Sequence, residues 1–133
     1  RYVYSNIAFQ CAKLNKIEEK VELSDWIMNL EYNFFGIPVP DVSLFLNVPF
    51  EFIIKSLTSN RQGDDRLYLN GEVDIHENDL ELQRCVFSEY KRLTDCFNDI
   101  KSVDCVDDNG NYLPKEAVFH NIINLLRQYM VIE

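Results

Sequence analysis

The sequence predicts an α/β fold, and three observations predict it. Val42 to Val48 reads VSLFLNV, a nearly continuous apolar run, which is the composition of a strand covered on both faces, as parallel strands are. A second short apolar run follows much later, around Val103, Cys105 and Val106. Segments with apolar residues three and four positions apart lie before, between and after these runs, the order produced when helices cross over between strands.

Taken in order, Ser5 to about Lys16 places Ile7, Ala8, Cys11, Ala12 and Leu14 on one side of a helix. Ser24, ahead of Asp25, reads as the N-cap of a second helix that stops at Gly36, where a left-handed residue ends it. Its inward stripe is Trp26, Ile27, Leu30 and Phe34. Pro38 and Pro40 cannot continue a helix, so Ile37 to Asp41 turns the chain into the first strand. Pro49 opens a short helix to about Thr58. Residues 59–77 are polar and without period, contain Gly63 and Gly71, and read as a loop or lid. Asn78 and Glu81 form an approximate capping box for a helix with Leu82, Val86, Leu93 and Phe97 inward. Ser102 to Asp107 is the second strand, and Pro114 starts a last helix with Val118, Phe119, Ile122, Ile123, Leu126 and Tyr129 inward.

A chain of 133 residues with 47% hydrophobic content fits one domain, residues 1–133, around one core. Its formal charge of -9 argues against polymeric nucleic acid and anionic membrane surfaces as partners, since these require a cationic face. No apolar run approaches the roughly 20 residues that span a bilayer, and the start of the chain lacks a basic, apolar leader. A soluble protein of the cytoplasm, or the nucleus, is expected. Cys11, Cys85, Cys96 and Cys105 form no CxxC pair, which argues against zinc and for buried free thiols in a reducing compartment. Cys85 and Cys96 are expected on nearly the same helix face. No metal site is expected.

Two short apolar strands do not make a self-sufficient parallel sheet, because their edges and faces remain open. Neighbouring strands preceding Arg1 are expected.

RYVYSNIAFQ at Arg1 to Gln10 resembles the thymidylate kinase segment that reads Asp-Arg-Tyr, then Ser, then Ala-Phe or Ala-Tyr. LEYNFFGIPVPDVSLFLNV at Leu30 to Val48 is similar to that family's helix ending in Gly, its Pro-x-Pro-Asp turn and its strand. DIHE at Asp74 to Glu77, followed by a helix with Tyr90, resembles the lid and post-lid helix. The resemblance implies the C-terminal portion of a P-loop-kinase-type three-layer fold, with a parallel sheet, helices on both faces and a lid at about residues 59–77. The implied activity is transfer of the γ-phosphoryl of MgATP to dTMP, giving dTDP, with Mg²⁺ accompanying ATP and a homodimer packed through helices, for which the Trp26 and Phe34 face is a candidate.

Residue by residue, the resemblance places Arg1 on the dTMP phosphate, where a planar guanidinium grips a dianion bidentately. Ser5 and Asn6 approach the base or its phosphate arm, Phe9 packs against the deoxyribose, and Gln10 faces the base. An aromatic wall at Phe9 excludes a 2′-hydroxyl; its alternative is ordinary helix core. Arg61 and Arg66 in the lid are candidates for charge over the migrating phosphoryl group, or solvated loop cations. Leu67 separates Arg66 from Tyr68, unlike the animal-type lid, where a Tyr follows the Arg directly. Tyr68 stays a substrate-side candidate. Asp74 and Glu77 hold the sugar hydroxyl or a water, or cap the following helix. Asp107 and Asn109 occupy the turn that the family places beside adenine.

None of Gly36, Gly63, Gly71 and Gly110 belongs to a GxxxxGK[ST] loop. The chain alone is therefore expected to be inactive, with the phosphate cradle in a longer parent. A deoxynucleoside kinase and a non-catalytic kinase-like interaction module are the alternatives.

Overall fold

The computed structural model describes residues 2–58 and 80–129. The elements are α1 (Val3–Cys11), α2 (Ile17–Met28) continuing into a π-helical turn (Asn29–Phe34), β1 (Ser43–Asn47), α3 (Phe50–Thr58), α4 (Leu80–Cys96), β2 (Ile100–Asp104) and α5 (Lys115–Gln128). β1 and β2 pair in parallel, with Ser43 opposite Ile100 and Asn47 opposite Asp104. A parallel pair joined through helices is mixed α/β architecture, as the apolar runs predict.

The core forms where α1, α2 and α4 meet. Val3, Tyr4, Ile7, Ala8 and Cys11 are buried on α1, the three-and-four spacing of a single helical face. Ile27 of α2, Val86 and Leu93 of α4, and Ile100 of β2 close on that face. Phe45 ties β1 to α4 by stacking on Tyr90, with centroids 5.0 Å apart.

Several boundaries differ from the sequence expectation. α1 ends at Cys11 rather than Lys16, because its last turn tightens, Lys13 N–H bonding Gln10 C=O and Leu14 N–H bonding Cys11 C=O. α2 begins seven residues before Ser24, at Ile17. Ser24 is no cap: it is buried in mid-helix and its hydroxyl donates back to Lys20 C=O at 2.7 Å, which satisfies it without ending the helix. Gly36 does end the helical run, with φ +66°. Of the expected stripe only Ile27 is fully buried, while Trp26 is 59% and Phe34 79% exposed. β2 lies two residues earlier than expected at its start, and Pro114 serves as N-cap of α5.

β1 is not covered on both faces among the described residues, since none of its residues is fully buried and Leu46 is exposed. α5 likewise carries no fully buried residue, and Phe119 and Tyr129, expected inward, are exposed. Cys85 and Cys96 are exposed, contrary to expectation, and Cys11 and Cys105 are buried. The capping-box residue Asn78 lies outside the described residues. No described helix is long and apolar enough to cross a membrane.

Candidate functional site

Four of the sequence-derived site residues share α1. Ser5, Asn6 and Phe9 are half-buried and Gln10 is exposed, a polar and aromatic strip beside the buried face of the helix. The helix is fixed at its start by two tyrosines. Tyr2 donates its hydroxyl to Pro38 C=O, and Tyr4 donates to Asp99 Oδ1 at 2.5 Å. Burial, then the hydrogen bond and charge of Asp99, push the Tyr4 hydroxyl far above its ordinary pKa.

The strip is also held from the side. Asn6 Nδ2 donates to Glu31 Oε1 at 2.7 Å, and Glu31 belongs to the π-helical turn. Tyr32, next in that turn, packs against the core that contains Ile27. The Tyr32 hydroxyl is buried without a hydrogen-bond partner among the described residues. Burial, then the charges of Asp99, Tyr2 and Glu31, raise its pKa. Glu31, Tyr32 and Asp99 were not singled out in the sequence. Glu31 stands four residues after buried Ile27, a helical spacing that places the two on one side.

A second polar group joins α2 to α4 beside α1. Glu89 of α4, only 3% exposed, receives Lys20 of α2 at 2.5 Å and Arg92 at 2.7 Å. Arg92 also donates to Ser24 Oγ at 3.2 Å, and Ser24 lies 3.6 Å from Cys11 Sγ. Burial pulls the Arg92 pKa down, but the hydrogen bond and charge of Glu89 outweigh it and the net direction is upward. α2 and α4 thus meet at one compensated buried carboxylate, and Cys11 of α1 joins that network through Ser24.

Asp107 and Asn109 lie in a tight turn beyond β2. Asp107 Oδ1 accepts the N–H groups of Asn109 at 2.9 Å and Asn111 at 2.8 Å, and Gly110 takes φ +79°. The Asn111 backbone and side-chain amides, followed by those of Asn109, hold the Asp107 carboxyl below the usual carboxylate range. Its oxygens are committed to the turn. This turn leaves the end of β2, whereas Tyr2 and Tyr4 anchor α1 to the segments entering β1 and β2, so the α1 strip and the turn are separate features. Arg1, Arg61, Arg66, Tyr68, Asp74 and Glu77 lie outside the described residues.

Among the described residues, no group of three or more His, Cys, Asp or Glu could hold a metal ion. No protein-family model, curated protein or solved structure matches the chain.

Proposed function

We propose that this chain is the acceptor-side portion of a nucleoside monophosphate kinase that transfers the γ-phosphoryl of MgATP to dTMP. In that reaction a phosphate oxygen of dTMP attacks the γ-phosphorus, the bond to the β–γ bridging oxygen breaks, and dTDP and ADP leave. The observation that carries the reading is the α1 strip, in which Asn6 is already fixed by Glu31 at 2.7 Å beside half-buried Ser5 and Phe9. A preorganised amide next to an aromatic wall suits a flat, polar-edged base and its sugar. The resemblance of RYVYSNIAFQ to the thymidylate kinase segment supplies Arg1 as the phosphate ligand and names the base.

Mg²⁺ in such kinases is carried largely by the nucleotide phosphates rather than by an all-protein cage, so the described residues need supply no carboxylate cluster. When bound, the ion neutralises charge on the β- and γ-phosphates. Arg61, Arg66, Tyr68, Asp74 and Glu77 belong to this proposal as lid and substrate residues, and Asp107 and Asn109 as the adenine side. A homodimer is part of it too: Trp26 on α2, and Phe34 and Phe35 at the end of the helical run, have most of their surface exposed, apolar surface suited to burial in a copy.

The test is a coupled ADP-release assay on the full-length protein with MgATP and either dTMP or thymidine as acceptor. Turnover of dTMP alone is expected. Turnover of thymidine instead would transfer the proposal to a nucleoside kinase, and turnover of neither would leave a non-catalytic module.

A further inference from the structure

We propose that Glu31 is a positioning residue that sets which end of the Asn6 amide faces the ligand, and so sets the hydrogen-bonding pattern of the base that the α1 site takes. This rests on the reading of α1 as the pyrimidine side of a dTMP site.

An asparagine amide has a donor end and an acceptor end of almost the same shape, so an unrestrained one serves either kind of ligand edge. Asn6 is not unrestrained. Its partner is Glu31 Oε1 at 2.7 Å, and an ionised carboxylate only accepts. The NH₂ end of Asn6 must therefore turn to Glu31, leaving Oδ1 as the end available to a ligand. The charge makes the bond stronger than an amide–amide contact, and the half-buried setting of both residues limits competition from water.

The backbone holds Glu31 in place independently of Asn6. Glu31 C=O accepts Ile37 N–H at 3.0 Å, Leu30 C=O accepts Phe35 N–H at 2.9 Å, and Gly36 closes the turn at φ +66°. Tyr32, next in sequence, is packed into the core. The π turn thus presents a carboxylate to α1 from a seat that ligand binding does not have to build, the arrangement in which a wide helical turn earns its irregularity.

An outward acceptor selects its ligand. A thymine or uracil ring offers an imide N–H, which Asn6 Oδ1 can accept, whereas cytosine has a bare ring nitrogen at the same position and would set lone pair against lone pair. Sites that hydrogen-bond a particular group reject analogues lacking it far more strongly than apolar pockets reject a missing methylene.

Three proteins test this: the full-length wild type, Glu31→Gln and Glu31→Asp, compared by kcat/KM for dTMP against dCMP. Glutamine can offer either end and releases the amide, so the dTMP preference should fall about tenfold or more in Glu31→Gln, chiefly through KM. Aspartate remains acceptor-only and should keep the preference within about threefold of wild type. The Asn6 side-chain NH₂ resonances should shift in Glu31→Gln and stay near their wild-type positions in Glu31→Asp, since only the glutamine removes the charged acceptor. An active wild type whose preference survives Glu31→Gln, or whose Asn6 NH₂ resonances are unchanged in Glu31→Gln, overturns the role of Glu31 and leaves the kinase reading standing. A wild type that phosphorylates neither nucleotide removes the kinase reading, and the proposed selectivity with it, even where the Asn6 resonances respond to Glu31→Gln.

Discussion

Lys20 of α2 and Glu89 of α4 meet at 2.5 Å across the helix junction, and the carboxylate is buried while the ammonium stem reaches partly to solvent. Arg92 takes the other oxygen of Glu89 at 2.7 Å. Two cations on one buried carboxylate make Glu89 the residue whose loss is least compensated. Glu89→Ala should destabilise the fold by about 3–5 kcal/mol, nearer the lower figure because both cations can turn toward water. Lys20→Ala leaves Arg92 in place and should cost clearly less. Urea denaturation of the three proteins checks the order, and a loss below about 1 kcal/mol for Glu89→Ala would show that the carboxylate is an ordinary surface group.

Tyr4 gives a prediction at the alkaline end. Its hydroxyl is held neutral by burial and by donation to Asp99, so its folded pKa lies above the unfolded value of about 10. The stability this contributes is complete below about pH 10 and is lost as pH climbs from there toward the folded value. Tyr4→Phe should cost about 1.5–3 kcal/mol at neutral pH by leaving the Asp99 carboxylate without its donor. It should also flatten the alkaline fall in melting temperature. A Tyr4→Phe protein with the wild-type alkaline limb would mean that another tyrosine sets it.

The sequence was most informative where local chemistry and packing agree. The α1 face is an example: Val3, Tyr4, Ile7, Ala8 and Cys11 are buried at the spacing the periodicity demands. Gly36 is another, since only a left-handed residue stops the helix there. Ser24 misled because its residue type suits a cap, while the preceding IEEKVEL favours helix and Lys20 C=O satisfies the hydroxyl. The pairing of Glu89 with Lys20 spans 69 residues, and no local pattern encodes a contact of that range. Coverage of the sheet was not legible either, because VSLFLNV states what β1 can bury and not what lies against it. At the site, the sequence pointed to Asn6 but not to Glu31, whose contact with Asn6 spans 25 residues and is encoded by no local pattern.

The cysteines separate into two classes that a thiol reagent can count. Cys85 and Cys96 are exposed on α4, whereas Cys11 and Cys105 are buried. Burial, then the nearby Asp104 charge, pushes the Cys105 thiol up, which lowers its thiolate fraction as well as its access. A disulfide reagent at neutral pH should therefore modify two of the four thiols quickly in the folded protein, and the remainder only on denaturation. Mass mapping should place the fast adducts on Cys85 and Cys96. A fast adduct on Cys11 would contradict the packing of α1 against α2.

Asp107 supplies the acid-side counterpart of Tyr4. Its carboxylate accepts from Asn111 and Asn109 and is held below the ordinary range. A depressed folded pKa contributes stability that is present above the unfolded value of about 4 and disappears as pH falls through the folded value. Asn at this position has no charge to lose and only one acceptor oxygen. Wild type should therefore melt above Asp107→Asn near neutral pH, with the gap closing steadily as pH drops below about 4. The acid also fixes the conformation in which Gly110 takes φ +79°, so amide exchange at Asn109 and Asn111 should accelerate in Asp107→Asn and, at low pH, in the wild type as well. A melting gap that stays constant down to acid pH would assign the effect to side-chain shape instead of charge, and would remove Asp107 from the groups that make this fold sensitive to acid.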